Sequence, residues 1–260
     1  MKINKKSGRK KGFTLVELSI VLVIIGLLIG GILVAQSMIE SSQIQKMGSV
    51  AGQLHAAIKM FKDNTGYYPG DAPGAWFASK CSNYGNPGAA HWVGGCQTNS
   101  NGDIDGWSEW ELATAHLSWL GYLDKEYTKY EPGSTCVPIN PGVDSVDVGF
   151  NAGMNIHPTP GMIGTTHLGN RIYSLQINYK SGDCTRPAVL TGAQAQAIDS
   201  KFDDGKPLWG DIVAGHYYGW GWSGNNCVVG GSYDPDNPYQ LGMDDTRICY
   251  LGFAQPEYAN

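Results

Sequence analysis

The sequence predicts an α+β protein in which a long N-terminal α-helix packs on a globular head with an antiparallel sheet. Three observations indicate this fold. Residues 13–62 have the composition and spacing of a single helix, the remainder is rich in glycine and turn-forming residues, and all six cysteines follow the apolar segment. With 260 residues, 42% of them hydrophobic, the chain can form one sizeable core plus an extension.

The predicted helix has two different halves. Its first half, 13–35, is apolar on every side and is the only segment long enough to span a bilayer. In the second half, 36–62, apolar residues follow an alternating spacing of three and four, which places them on one face of an amphipathic helix. They are Ile44, Met47, Ala51, Leu54, Ile58 and Phe61. This half is therefore expected to pack on the head.

Positive charge is concentrated ahead of the apolar segment. The first twelve residues hold six of the eighteen Lys and Arg residues and no acidic residue. Without them, the chain has 12 basic and 23 acidic side chains, a formal charge of −11, which argues against nucleic-acid binding. Positive residues before an apolar run keep that end in the cytoplasm, so the head is expected on the other side of the membrane.

The cysteines are consistent with that location, because an oxidising compartment favours disulfides. The candidates for three disulfides are Cys81, Cys96, Cys136, Cys184, Cys227 and Cys249. Connectivity does not follow from sequence, but Cys81 with Cys96 and Cys227 with Cys249 are preferred because those loops are short. A structural zinc site is the weaker alternative, since the sequence has no CxxC pair and no histidine at zinc-ligand spacing.

The N-terminal features occur in an unusual order. In an ordinary secretory signal the small-residue cleavage motif follows the apolar run, whereas here Gly12 precedes it, with Phe13 next and Glu17 further on. This order resembles the class III signal of type IV prepilins and pseudopilins. The resemblance implies a leader at 1–12, cleavage between Gly12 and Phe13 by a prepilin peptidase, and N-methylation of Phe13.

Glu17 is a lone carboxylate within the apolar stretch. Ionisable residues are costly inside a membrane and therefore mark functional sites. The resemblance supplies a cationic partner, the N-terminal amine of Phe13 in a neighbouring subunit, and gives Glu17 a role in setting helix register during assembly. The alternative is an acidic residue that the helix dipole favours in the first turn.

The end of the long helix carries a second resemblance. Asp63-Asn64-Thr65-Gly66 ends the helix, and a turn-rich segment follows at 67–74. The run from Phe61 to Pro69 is similar to the junction that follows the long helix in pseudopilins and related pilin-like proteins. The head is accordingly expected to comprise residues 63–260, in a pilin-like fold.

Further regular elements are predicted in the head. A helix begins at Glu109 and ends at Gly121, a strand covers 171–179, and a second helix covers 191–202. The first helix places Trp110, Ala113, Leu117 and Leu120 on its core face. His116 in that helix is interpreted as a structural histidine. The segment 203–207 that follows the second helix resembles an ending found in larger pilin-like heads.

Aromatic residues cluster near residue 220, where they alternate with glycine towards the end of the run: Tyr217, Tyr218, Trp220 and Trp222. An exposed set of rings would stack on sugars or on a partner. The preferred interpretation is a buried face of the sheet.

Residues 101–109 have oxygen-bearing side chains at alternate positions and a glycine at a sharp turn, as in the opening of a calcium loop. The predicted calcium ligands are Asn101, Asp103, Asp105 and Glu109, with Glu111 as an alternative to Glu109. Leu112 replaces the final glutamate of an EF-hand loop, so the full motif is missing. The alternative is a loop that leads into a helix with Ser108 and Glu111 as a capping box.

The sequence contains no nucleophile motif, phosphate-binding glycine loop or metal-spaced histidine cluster, so an enzyme is not expected. The resemblance implies a structural subunit of a type IV pilus-like filament. Such a subunit lies in the bacterial inner membrane through one helix and then joins a periplasmic or extracellular filament. Its partners would be pilins of the same or another kind, the prepilin peptidase and the inner-membrane assembly platform. The alternatives are a minor pilin or type II secretion pseudopilin at the filament tip, and a filament-displayed adhesin that binds glycans or surfaces.

Overall fold

The structure is a computed structural model, and it forms two compact units, Met1–Ser42 and Gln43–Asn260. It describes residues 12–81, 98–104, 107–127, 141–143, 145–158, 173–179, 188–215, 227–229, 236–241 and 247–254. The helices are α1 (Leu15–Thr65), a 3-10 helix (Gly74–Phe77), α2 (Ala78–Cys81), α3 (Trp107–Trp119) and α4 (Gly192–Phe202). The strands are β1 (Val146–Gly149), β2 (Ala152–Pro158), β3 (Tyr173–Tyr179), β4 (Ile212–Gly215) and β5 (Tyr250–Ala254).

Helix α1 contains the predicted apolar stripe. In the second unit all six stripe residues are buried, with exposed fractions between 0 and 8%, so this prediction is confirmed. Val50 and Ala57 lie on the same buried face. Because the spacing alternates between three and four residues, these side chains lie in one line along the helix. Their burial holds this part of α1 in the core of the second unit.

Glycine ends α1 as its sequence predicts. Gly66 has a φ of +81°, and its N–H donates to the carbonyl of Lys62 at 2.8 Å. This left-handed conformation closes a helix and turns the chain away from the axis. The next residues return to the core, because Tyr68 and Ala72 are fully buried.

Among the described residues, the sheet has five strands in the order β1-β2-β3-β5-β4, and each pairing between them is antiparallel. β2 pairs with β3 along its whole length, from Ala152 opposite Tyr179 to Pro158 opposite Tyr173. The predicted antiparallel sheet, and with it the α+β class, is confirmed. The first two residues of the predicted strand at 171–179 lie outside the described residues.

Helices α3 and α4 complete the core. α3 packs on β2, with Ala113 and Leu117 buried in the same apolar cluster as Met154. α4 begins with a capping box, in which Thr191 and Gln194 exchange side-chain to backbone hydrogen bonds at 3.1 and 3.2 Å. This cap fixes the start of the helix that the sequence predicted at 191–202.

The prediction for Leu120 is wrong. α3 ends at Trp119, and Leu120 is 44% exposed. The chain turns at Gly121, which has a φ of +78°. The helix therefore ends one residue before Leu120, and helical spacing no longer places Leu120 beside Leu117. The side chain of Trp110 lies outside the description.

We expect Gly70→Ala to lower the free energy of unfolding by roughly 1–3 kcal/mol. Gly70 has a φ of +99°, and a Cβ there would clash with the backbone carbonyl oxygen of Glu109. The measurement is urea denaturation of the full chain in detergent micelles. Gly52→Ala is the matched control, because Gly52 is an exposed helical residue in open space and alanine there should stabilise by about 0.5–1 kcal/mol. An unchanged denaturation midpoint for Gly70→Ala would contradict the expectation.

Candidate functional site

Glu17 lies in the first turn of α1 and pairs with Thr14. Its Oε2 accepts the backbone N–H of Thr14 at 2.8 Å and the Thr14 hydroxyl at 2.9 Å. In return, the Thr14 hydroxyl oxygen accepts the N–H of Glu17 at 3.2 Å. This is a capping box, in which the two residues satisfy each other's backbone donors and stabilise the helix start.

Sequence reasoning missed this capping box and treated Glu17 as a lone carboxylate. The signal was present, because Thr14-Leu15-Val16-Glu17 matches the S/T-x-x-E pattern directly before an apolar run. Both hydrogen bonds from Thr14 end on Oε2. The other oxygen, Oε1, therefore remains accessible to a donor from another molecule.

The candidate processing junction precedes the helix and is exposed. Gly12 and Phe13 lie ahead of the first residue of α1, and the side chain of Phe13 is 91% exposed. The large apolar residues from Leu15 to Ile39 are 45–84% exposed. Within the described part of the chain, α1 is the one helix with the length and apolar composition to cross a membrane.

The predicted calcium ligands that the structure describes cap backbone groups. Asn101 Oδ1 accepts the N–H of Asp103 at 2.9 Å, and Asp103 Oδ1 accepts the N–H of Ile104 at 2.7 Å. Glu109 is 1% exposed, and its Oε1 accepts the N–H of Asn99 at 2.9 Å. These bonds explain the loop without an ion, although the same oxygens could also bind a hard cation. Calcium stays a prediction, and Asp105 lies outside the described residues.

Asp71 anchors this loop, although the sequence analysis did not single it out. Asp71 is fully buried, and its two carboxylate oxygens accept the N–H groups of Asn101 at 3.0 Å and Gly102 at 2.8 Å. The partners are separated by about thirty residues along the chain. No local pattern relates residues so far apart, so sequence spacing could not have found this contact.

A second acidic group lies at the end of α4. The carboxylate oxygens of Asp199, Asp203 and Asp204 lie within 4.8 Å of one another, close enough to share one metal ion. Asp199 is fully buried and accepts the Tyr239 hydroxyl at 2.6 Å and the N–H of Gly205 at 3.1 Å. The local geometry is therefore that of a hydrogen-bonded turn after the helix.

The neighbouring carboxylates of that group also accept backbone donors. Asp203 Oδ2 accepts the N–H groups of Asp211 at 2.5 Å and Ile212 at 2.6 Å, which ties the end of α4 to the start of β4. Asp204 Oδ1 accepts the N–H of Lys206 at 2.8 Å. Burial raises the pKa of Asp199 to about 7, although the hydrogen bonds from Tyr239 and Gly205 lower this pKa.

One of the preferred disulfides is present. Cys227 and Cys249 are joined, as the short loop between them predicted. Four other cysteine side chains, at Cys81, Cys96, Cys136 and Cys184, lie outside the description. So does the aromatic run from Tyr217 to Trp222, and its predicted burial stays a prediction.

Comparison with known proteins identifies the N-terminal segment. Residues 7–33 match the family model of the prokaryotic N-terminal methylation motif. The match includes the candidate junction, the Thr14–Glu17 capping box and most of the apolar surface. Neither the curated proteins nor the solved structures give a match to the chain.

The matched motif supports a type IV pilin-like prepilin, and together with the apolar helix it indicates a membrane-anchored precursor. More particularly, the motif supports a subunit of the pilin or pseudopilin type, and the type IV pilin family is structural, not enzymatic. Proteins with this motif are processed by a prepilin peptidase and assemble into filaments. The match ends at residue 33, so the head is known from its structure alone.

We expect Asp199 to make the protein less stable as the pH rises from about 4 to about 7. The folded state holds a proton on Asp199 that an unfolded aspartate, with a pKa of about 3.9, releases. The stabilisation is therefore full below about pH 4 and is lost as the pH rises through the folded pKa. Asp199→Asn should remove a slope of up to roughly 1.4 kcal/mol per pH unit, measured by urea denaturation of the full chain in detergent.

The control for this measurement is Asp124→Asn, since Asp124 is exposed. Its stability should follow that of the wild type at every pH. Subtracting the stability curve of Asp199→Asn from that of the wild type separates the contribution of Asp199 from those of other groups that titrate in the same range. A curve for Asp199→Asn that runs parallel to the wild type would contradict the assignment.

Proposed function

We propose that the chain is a structural subunit of a type IV pilus-like filament. A prepilin peptidase cuts between Gly12 and Phe13, Phe13 is N-methylated, and residues 13–35 hold the mature subunit in the bacterial inner membrane. The inner-membrane assembly platform then moves it into a filament outside the cytoplasm. One observation carries this proposal: an apolar helix exposed on all sides directly follows the junction within a matched methylation motif.

The exposed helix supplies the energy of membrane insertion. Removing one Leu, Ile or Val side chain from water is worth roughly 1.5–3 kcal/mol, and residues 15–39 present many such side chains. A bilayer and a bundle of like helices both cover this surface. Because lipid is as apolar as the helix, moving the helix from lipid into a bundle gains little from apolar contact alone. The association is specific only if the helices pack closely or form polar contacts.

Glu17 supplies a polar contact of that kind. A carboxylate within the apolar core of a membrane or bundle is unfavourable without a partner. The new amine at Phe13 is cationic, and Oε1 of Glu17 is open to such a donor while Oε2 remains bound to Thr14. An ion pair between Glu17 and the amine of a neighbouring subunit can form only when the two helices are shifted by one particular distance along their axes. The pair therefore selects one helix register.

The second unit has the properties of an exported head. A disulfide joins Cys227 and Cys249, which is typical of an oxidising compartment. The positive charges of the leader keep that end in the cytoplasm, and the chain without them has a formal charge of −11. In the filament, the helices form the centre and the heads cover the outside.

Location within the filament separates the finer alternatives. Abundance along sheared filaments supports a major subunit. Restriction to filament tips supports a minor pilin or a type II secretion pseudopilin. Binding of glycans by purified filaments supports an adhesin.

We expect Gly12→Val to block removal of the leader, because the branched side chain occupies the position next to the scissile bond. The experiment expresses the full chain with a prepilin peptidase and measures the intact mass of the membrane-extracted protein. The wild type should lose the mass of residues 1–12 and gain one methyl group on Phe13. Gly12→Val should keep its full mass.

Gly12→Ala is the matched control for this experiment, since it changes the same position by one methyl group. It should be processed more completely than Gly12→Val. Normal processing and methylation of Gly12→Val would contradict the proposed junction. Accumulation of an unprocessed wild type beside an active peptidase would contradict it as well.

We expect Glu17→Gln to be processed normally but to assemble poorly, because the amide cannot form an ion pair with the amine of Phe13. The measurement compares the amount of subunit in sheared filaments with the amount in membranes. Glu40→Gln is the control, because it removes an exposed carboxylate from the same unit without touching the capping box. It should assemble like the wild type. Wild-type filament yield for Glu17→Gln would remove the role of Glu17 in assembly.

A further inference from the structure

His116 occupies an apolar, aromatic site at the end of α1. Its side chain is fully buried, and its ring stacks on Phe77 with 4.1 Å between ring centroids. Phe61 of α1 and Trp119 of α3 lie 6.4 and 5.7 Å away, measured in the same way. Such surroundings favour a neutral imidazole over a charged one.

The hydrogen bonding of His116 fixes the position of its single proton. The N–H of Gly70 donates to Nδ1 at 3.0 Å, so Nδ1 acts as an acceptor and carries no proton. The proton of the neutral ring is then on Nε2, which is buried and has no hydrogen-bond partner among the described residues. A second proton would have to bind at Nδ1, directly opposite the N–H of Gly70.

The charged groups on the surrounding elements have other contacts. In α1, Lys62 lies 3.6 Å from the centre of the Tyr68 ring, and in α2, Lys80 pairs with Glu126 at 2.6 Å. Asp71, beside Gly70, accepts two loop N–H groups, and Glu109 of α3 accepts a third. Burial alone lowers the pKa of His116 to about 3.

The turn that contacts His116 also holds a neighbouring loop. Gly70 approaches the carbonyl of Glu109 so closely that a Cβ would clash with it. Asp71 binds two N–H groups of the 98–104 loop, and the Thr98 hydroxyl donates to the carbonyl of Ala72 at 3.0 Å. Loss of the Gly70 contact therefore affects both the turn and the loop.

We propose that the contact between His116 and Gly70 is an acid-sensitive latch. When the site opens and His116 binds a second proton, the imidazolium cannot return opposite the Gly70 N–H. The turn at 66–73 and the loop at 98–104 then separate from α3 and expose Tyr68 and Phe77. This behaviour belongs to the head and does not depend on filament assembly.

Amide hydrogen exchange, read by mass spectrometry and corrected for the intrinsic pH dependence of exchange, tests the latch. The sample is the full chain in detergent micelles between pH 5.5 and 7.5, where carboxylates of ordinary pKa are almost fully ionised. In peptides from 66–73 and 98–104, the opening constant should rise about tenfold for each pH unit below about 6.5. Peptides from α4 should not show this rise, because Asp199 gains its proton as the pH falls through the same range and stabilises that helix.

His116→Asn is the matched variant, because the asparagine Oδ1 can occupy the Nδ1 position and accept the Gly70 N–H but does not titrate. It should lose the pH dependence at 66–73 and 98–104, even if its overall stability is lower. His55→Asn should keep that dependence, since His55 is the histidine of α1 and is only partly buried.

Three results would overturn the latch: a flat wild-type profile at 66–73, an equal slope in α4, or a slope that persists in His116→Asn. If His116→Asn does not fold, the comparison within the wild type decides. A steep rise at 66–73 and 98–104 without a rise in α4 supports the latch, and any other pattern rejects it.

Discussion

The apolar surface of residues 15–39 constrains the rest of the molecule. Each of its large apolar side chains is at least 45% exposed, and so much apolar surface is unfavourable in water. In the proposed precursor a bilayer covers it, with the positive end in the cytoplasm and the head across the membrane. The disulfide between Cys227 and Cys249 and the acidic composition of the head agree with that destination.

The Thr14–Glu17 capping box is compatible with the assembly role proposed for the same carboxylate. A helix start leaves backbone N–H groups without acceptors, and this is costly where water is absent. Glu17 and Thr14 supply those acceptors within one chain. Since the capping bonds use only Oε2, an intermolecular contact at Oε1 adds to the cap and does not replace it. The helix start can therefore remain ordered in both of the surroundings proposed for it, the membrane and a filament.

Local patterns predicted the features that depend on short stretches of chain. The stripe on α1, the extent of α4 and the pair Cys227–Cys249 followed from helical spacing, composition and loop length. The end of α3 was predicted less well, because the turn at Gly121 determined where Leu120 lies. The contacts of Asp71 and His116 join residues more than 25 positions apart. They arise from packing, so periodicity and motifs carry no signal for them.

The acidic composition of the head has a structural reason besides solubility. In a Gly-rich chain with short strands, many backbone N–H groups lie outside helices and sheets, and each buried one needs an acceptor. Carboxylates fill this role repeatedly, at the turn after α1, in the 98–104 loop, beside β1 and after α4. The residues are Asp71, Asp103, Glu109, Asp147, Asp199, Asp203 and Asp204. Because these acids accept backbone N–H groups of loops and turns, they stabilise the described parts of the head that lie outside helices and strands.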